Sequence, residues 1–137
     1  MGKMSLYSKP NNVLVYGNLM ENPKLARVQN EGAVGIYAWG KGRYRLFRNL
    51  IIGPHRMGIN VSSDNNLIAN NTILSTSEAA VYLHEKRVGN SLFNNIVGGT
   101  GQLVALNTAS NTLDYTYYVG VCRWSWQGKA IKELAAW

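Results

Sequence analysis

Three short runs hold much of the chain's capacity for chemistry: "GKGRYRLFR" with Lys41, Arg43, Arg45 and Arg48, "PHRM" with His55 and Arg56, and "LHEKR" with His84, Lys86 and Arg87. Clustered cations attract anions, and a planar guanidinium can grip a carboxylate through two hydrogen bonds. A lysine crowded by other cations releases its proton more readily, which suits it to act as a base. Lys86 is therefore the candidate base and Arg87 the candidate carboxylate holder. Lys41, Arg43, His84, Arg56 and the aromatic Trp39 are candidate substrate-binding residues. The competing reading makes "LHEKR" a solvated turn with an internal Glu85–Lys86 pair. The bias extends over the whole chain, where 14 basic and seven acidic residues give a net charge of +7 and a pI near 9.7.

Other chemistries lack their residues. Asp64 and Glu85 alone offer too few oxygens for a calcium site, and no paired carboxylates stand at matched positions as glycoside hydrolysis requires. "GKGR" lacks the strand-to-helix setting of a phosphate-binding loop, and no zinc or dinucleotide spacing occurs. No metal and no cofactor is implied. The lone Cys122 cannot form an internal disulfide. "MGKMSLYSKPNN" has no apolar h-region, and no run approaches the roughly 18 apolar residues of a membrane helix. The expectation is a soluble chain without a signal peptide, cytoplasmic as written and with no membrane partner. Trp39, Tyr44 and Phe47 interleave with the cations, a pattern that single-stranded nucleic acid could use. Core packing is the favoured role for Phe47 and Phe93, so nucleic acid is the disfavoured partner.

The elements that must position these residues repeat. Aliphatic, two residues, Asn, one residue, aliphatic or Met describes Val15-Asn18-Met20, Leu46-Asn49-Ile51, Ile68-Asn71-Ile73 and Leu92-Asn95-Val97. The four asparagines are 31, 22 and 24 residues apart. A second marker, "GIYA", "GINV", "AVYL" and "LVAL", places Ile36, Ile59, Val81 and Val104 at intervals of 23, 22 and 23. Two markers with one period signal a solenoid, in which stacking supplies the core that no single repeat can bury. A leucine-rich repeat needs leucines five and eight positions before the Asn. Asn66 and Ser63 precede Asn71 there, and Tyr44 and Lys41 precede Asn49, so that fold fails. Period-two runs rich in Ile, Val and Tyr, broken by Gly, Asn and Ser, describe coils of strands and turns only. Counting from the second marker puts Lys41, Asp64 and Lys86 at one point of successive coils, stacked basic, acidic, basic. Asn18, Asn49, Asn71 and Asn95 should form a ladder of stacked amides, with Asn65, Asn66 and Asn70 serving turns or solvent.

These repeats, of which "NNLIANNTI" is one, resemble the right-handed parallel β-helix proteins of the pectate-lyase-like kind, over Asn11 to about Tyr118. "NTLDYTYYVGVCRWSWQGKAIKELAAW" is similar to the segment after the last coil of such proteins, with Thr116 where an Asn is expected. The resemblance implies an all-β right-handed parallel β-helix of about four coils of 22–23 residues, followed by a short helical cap. It also implies the C-terminal part of a larger protein, of a kind often secreted. One domain is expected over 1–137, with coils over about 11–110 and the terminal strand and cap over about 111–137. Ile131, Leu134 and Ala135 stand at helical spacing for that cap. β-Eliminating relatives neutralise a uronate carboxylate and remove the neighbouring proton with Lys or Arg, which gives Lys86 and Arg87 their roles in a lyase reading.

The favoured function is recognition of carbohydrate, with anionic polysaccharide the expected partner. Lyase action is one alternative, disfavoured for this chain alone because four coils make a short groove. The other is a structural module self-associating as a homodimer through an uncapped first coil, unless "MGKMSLYSKP" folds over that end. One irregularity remains: an insertion of about eight residues within "ENPKLARVQNEG" of the first coil, on a face that would either bind or cover the stack's edge.

Overall fold

A computed structural model describes residues 4–8, 12–21, 34–84, 86–99, 102–106, 110–114, 116–119, 123–126 and 129–131. Its strands, in order, are β1 (Met4–Ser8), β2 (Asn12–Tyr16), β3 (Leu19–Glu21), β4 (Val34–Gly40), β5 (Arg43–Phe47), β6 (Leu50–Ser62), β7 (Leu67–Ala69) and β8 (Thr72–Leu83). They continue with β9 (Ser91–Phe93), β10 (Ile96–Gly99), β11 (Gln102–Leu106), β12 (Thr112–Asp114), β13 (Tyr117–Val119), β14 (Arg123–Trp126) and β15 (Lys129–Ile131).

The strands wind into a parallel solenoid with three faces. Face one stacks β1, β4, the second half of β6, the second half of β8, β11 and β14. Face two stacks β2, β5, β7, β9 and β12. Face three stacks β3, the first halves of β6 and β8, β10 and β13. β6 and β8 are long because they turn the corner from face three to face one, with register shifts around His55.

Inward positions repeat from rung to rung. Val15, Leu46, Ile68 and Leu92 form one column, and Ile51, Ile73 and Val97 another. Ile36, Ile59 and Val81 form a third. All of these are buried in one continuous core. Each fully buried aliphatic side chain stabilises the coil by about 1.5–3 kcal/mol, and its partners in that burial belong to other coils. Gly58 lies close against its neighbours, because a Cβ there would meet the Ile73 side chain and the Ala80 carbonyl.

Three complete turns can be followed, over 34–99, with one rung on each face before them and β11 to β14 after, two of which stack on face one; the sequence pointed to about four. Four asparagine markers bound three intervals, and the count of markers overstated the count of turns. Met4–Ser8, within the segment expected to fold over the stack, instead forms β1 and pairs with β4 in parallel as a further rung of face one. No helix occurs among the described residues. Lys129–Ile131, assigned by spacing to a helical cap, forms β15 and pairs antiparallel with β14. Three alternating residues fit a hairpin strand as well as a helix, and the β14 edge supplies hydrogen-bond partners. Leu134, Ala135 and Cys122 lie outside the described residues, as does the insertion at 22–33.

Asparagines build two corners. Between faces two and three, Gly17, Arg48, Asn70 and Asn94 adopt the left-handed backbone at φ 68°, 49°, 56° and 49°, each followed by an inward Asn. Nδ2 of Asn18 donates to Asn49 Oδ1 at 3.0 Å, Asn49 to Asn71 at 2.9 Å and Asn71 to Asn95 at 3.1 Å. The same oxygens accept the backbone N–H of Asn18, Asn49 and Asn71. Each Nδ2 from Asn49 onward also reaches a carbonyl one coil back, of Val15, Leu46 or Ile68.

A second column stands between faces one and two. The Tyr44 N–H donates to Asn66 Oδ1 at 2.8 Å, Asn66 Nδ2 to Asn90 Oδ1 at 2.6 Å and the Asn90 N–H to Asn111 Oδ1 at 2.9 Å. Asn66 is therefore a buried link, contrary to the expectation of a turn or solvent role. The preceding Asn65 and Gly89 take the left-handed conformation instead. In the doublets Asn65-Asn66 and Asn70-Asn71 the first residue bends the chain and the second points inward.

Candidate functional site

On face one the positions between the inward ones lie on the outer side of the sheet, where Tyr37 and Tyr82 are half-buried and Asn60 is covered. Tyr37 on β4, Asn60 on β6 and Tyr82 on β8 are register partners in adjacent rungs. Trp39 pairs with Ser62 beside them, and His84 follows β8 at the same level, its N–H bonded to the Val61 carbonyl at 3.0 Å. Two rungs separate Tyr37 from Tyr82, and Trp39 from His84, a rise of roughly 10 Å. The Tyr37 and Trp39 rings stack at 6.3 Å between centroids and 13° between planes. Tyr82 and His84 meet edge to face at 5.0 Å. Tyr37 and Tyr82 pack on a small outer cluster of Val34, Met57 and Ala79. Between them Asn60 donates to Met57 Sδ at 3.3 Å, while its Oδ1 has no hydrogen-bond partner.

His84 is held below the ordinary imidazole value, first by burial and second by the Arg87 guanidinium. Near neutrality it is therefore uncharged, with an Nε2 that is buried and has no hydrogen-bond partner.

The corner next to this face carries the remaining candidates on its rim. Asp64 accepts the Val88 N–H at 2.9 Å and lies 3.7 Å from Arg87 Nη1. Arg87, expected to grip a ligand carboxylate, thus already faces one. The expected stack of Lys41, Asp64 and Lys86 changes register. Partners are offset by 22 residues at Val61 and Leu83 but by 24 at Asn66 and Asn90. The later corner holds two extra residues, and Asp64 meets Arg87 and Val88 in place of Lys86. Lys86 is exposed, at φ 65°. Lys41 is also exposed, two residues beyond Trp39.

Two candidates lie elsewhere. Arg56 sits at the other edge of face one, about 20 Å along β6 from Ser62, with Nε 2.8 Å from Glu78 Oε2. His55 beside it is buried, and burial pushes its imidazole down against a weaker opposing effect of the Met20 backbone. Arg43 belongs to face two. There it lines a shallow groove of about 500 Å³ with Arg45, Asn65, Leu67, Ser91 and Phe93. Phe47 and Phe93 are half-buried on the outside of that face, because the inward positions of β5 and β9 go to Tyr44, Leu46 and Leu92. The core role expected for them does not hold.

The sequence profile described as right handed beta helix region matches residues 1–120. The chain belongs to that family. No curated protein and no solved structure matches it. The β-helix also explains which residues were missed: Tyr37, Asn60 and Tyr82 are the third letters of "GIYA", "GINV" and "AVYL". Aligning the markers set the inward residues in register, and the outward ones one step further along were in register too.

Proposed function

We propose that this β-helix is a carbohydrate-recognition module for acidic polysaccharide, with face one as its platform. The observation that carries the reading is the aromatic pair of columns, Tyr37 with Tyr82 and Trp39 with His84, each interrupted by a polar rung at Asn60 or Ser62. Aromatic faces take the C–H faces of pyranose rings, and a hydroxyl such as that of half-buried Ser62 exchanges hydrogen bonds with sugar hydroxyls. A rise of roughly 10 Å between equivalent rings suits a chain lying along the solenoid axis and touching every second rung. Lys41 and Lys86 on the rim are placed to meet carboxylates carried by such a chain. Lyase action gains no support: Arg87 faces Asp64, and Lys86 stands on an exposed turn.

The test is binding of immobilised uronate and neutral polymers. Trp39→Ala should weaken both, and Lys86→Ala only the acidic ones. Loss of neither binding in Trp39→Ala, or release of an unsaturated uronate product that disappears in Lys86→Ala, would overturn the reading.

A second reading concerns self-association. Leu14, Tyr16 and Leu19 are exposed at 64%, 54% and 61% on β2 and β3, the first rungs of faces two and three. A dimer joined there would hide them. A light-scattering mass of one subunit at micromolar concentration counts against it.

A further inference from the structure

Face two differs from face one in charge, and its groove is independent of the carbohydrate reading. Arg43 and Arg45 alternate along β5 with buried Tyr44 and Leu46, so both side chains leave the same side of the sheet. Two residues of strand separate them by about 6.7 Å. Both are exposed, and among the described residues neither has an acidic partner. The acid on this face, Asp114, pairs with Phe93 at the far end, three rungs or about 14 Å from β5, and Asp64, at the adjoining corner just before groove-lining Asn65, faces Arg87 and accepts the Val88 N–H. Two like charges held side by side without a counter-charge create a positive spot that an anion relieves.

The rest of the groove is not charged. Leu67 continues the Arg45 position on the next rung and Ser91 the one after, with half-buried Phe93 beside it. Asn65 lies over Gly89, where a Cβ would strike the Asn65 side chain. The groove thus offers two guanidinium forks at one end, neutral hydrogen-bonding groups along one side and an apolar wall. Its volume of about 500 Å³ falls within the range of small-ligand sites.

We propose that this groove binds a phosphate monoester carried on a ring system, with Arg43 and Arg45 converging on the phosphate and Leu67 and Phe93 receiving the ring. A dianionic phosphate presents three oxygens in different directions, so two guanidinium groups can each engage it through paired hydrogen bonds. A single carboxylate offers both oxygens in one plane and satisfies one fork. Nucleoside and sugar monophosphates share the required chemistry.

Calorimetric titration of the whole chain with 5′-AMP, glucose 6-phosphate, adenosine and inorganic phosphate tests the site. At least one of the two ring phosphates should bind about tenfold or more tightly than inorganic phosphate, and adenosine should not register. The phosphate that binds identifies the source of the ring. Arg45→Glu should weaken it at least about tenfold, and Phe93→Ala should bring it to the level of inorganic phosphate. Both substituted side chains lie on the outside of the sheet, and an unchanged melting curve verifies the fold. Binding should persist in Trp39→Ala, which separates this site from face one. Equal binding of adenosine and 5′-AMP, indifference to Arg45→Glu, or absence of binding by both ring phosphates would overturn the proposal. So would preference for a phosphodiester oligonucleotide, which would reassign the groove to single-stranded nucleic acid.

Discussion

At the corner between faces two and three, each coil uses one left-handed residue and one inward asparagine, and the pattern repeats from Gly17-Asn18 to Asn94-Asn95. At the corner between faces one and two the same device occurs in Asn65-Asn66 and Gly89-Asn90, but with a different outcome. The first corner keeps its length over three successive turns, and the amides of Asn49 and Asn71 are bonded to both neighbouring coils. The second corner changes length between coils, opens its column with Tyr44, and leaves Asn90 Nδ2 without a partner. Its irregularity is also where exposed Lys41 and Lys86 emerge, with faces one and two on either side. A corner that satisfies every buried polar group has no freedom to vary. A corner with slack can lengthen by two residues and present side chains outward.

The comparison breaks most readily at the regular corner. Asn71→Leu removes the acceptor of the Asn49 amide and the donor to the Leu46 carbonyl and Asn95 Oδ1, all buried. A loss of about 3 kcal/mol in urea unfolding is expected, and a loss under about 1 kcal/mol would end the claim that this ladder holds the coils together. Asn66→Leu, at the irregular corner, should cost less, about 2 kcal/mol. It orphans the Tyr44 N–H, but Asn90 Oδ1 keeps the backbone N–H of residue 66 and the neighbouring Ser63 hydroxyl can rearrange.

Outward residues should reverse the pattern, changing binding and sparing stability. Trp39→Ala should weaken polysaccharide binding by about tenfold, equivalent to about 1.4 kcal/mol, with little change in unfolding free energy, whereas Tyr82→Ala should weaken binding as much and also lower stability, because Tyr82 packs on Val34, Met57 and Ala79. Asp64→Ala removes the acceptor of the Val88 N–H and the partner of Arg87, both partly exposed. It should cost about 1 kcal/mol or less.

The smallest effect is the pH response of His84. Its folded-state value lies below the ordinary 6.5 because of burial and then Arg87, so the unfolded chain takes up a proton first on acidification. Stability should be indifferent to this group above about pH 6.5 and should fall as pH drops below it, levelling once the folded-state value is passed. His84→Phe should flatten that fall in thermal melts between about pH 7.5 and 5. The slope remaining in the variant belongs to His55, shifted in the same direction.

Much of the fold was legible because a solenoid writes its period directly into the chain. Ile36, Ile59 and Val81 had to recur for each coil to bury its neighbour's apolar side, and Asn18, Asn49, Asn71 and Asn95 share one backbone conformation in successive coils. The sites were less legible. Lys41, Lys86 and Arg87 were chosen for charge, but charge says nothing of pairing, and Asp64 takes Arg87. Arg56 and Arg43 are candidates for the same substrate as His84 and Lys41 in the sequence, but a strand length and a corner part them from those residues. Tyr37 and Tyr82 were passed over as generic strand residues, since their value depends on standing two rungs apart on one side of a sheet.

Sequence by itself determined that the chain must stack: two markers of one period, alternating strands and asparagines at fixed offsets admit few other ways to bury the aliphatic positions. Tertiary structure decided which outward residues share a face, because corner length sets the register, and that length varies by residues that have no inward role. Two additional residues between Leu83 and Asn90 were enough to bring Arg87 to Asp64 and leave Lys86 outside. The inward side chains fix the coil through packing with their neighbours above and below, whereas the outward ones meet only where the turns happen to bring them.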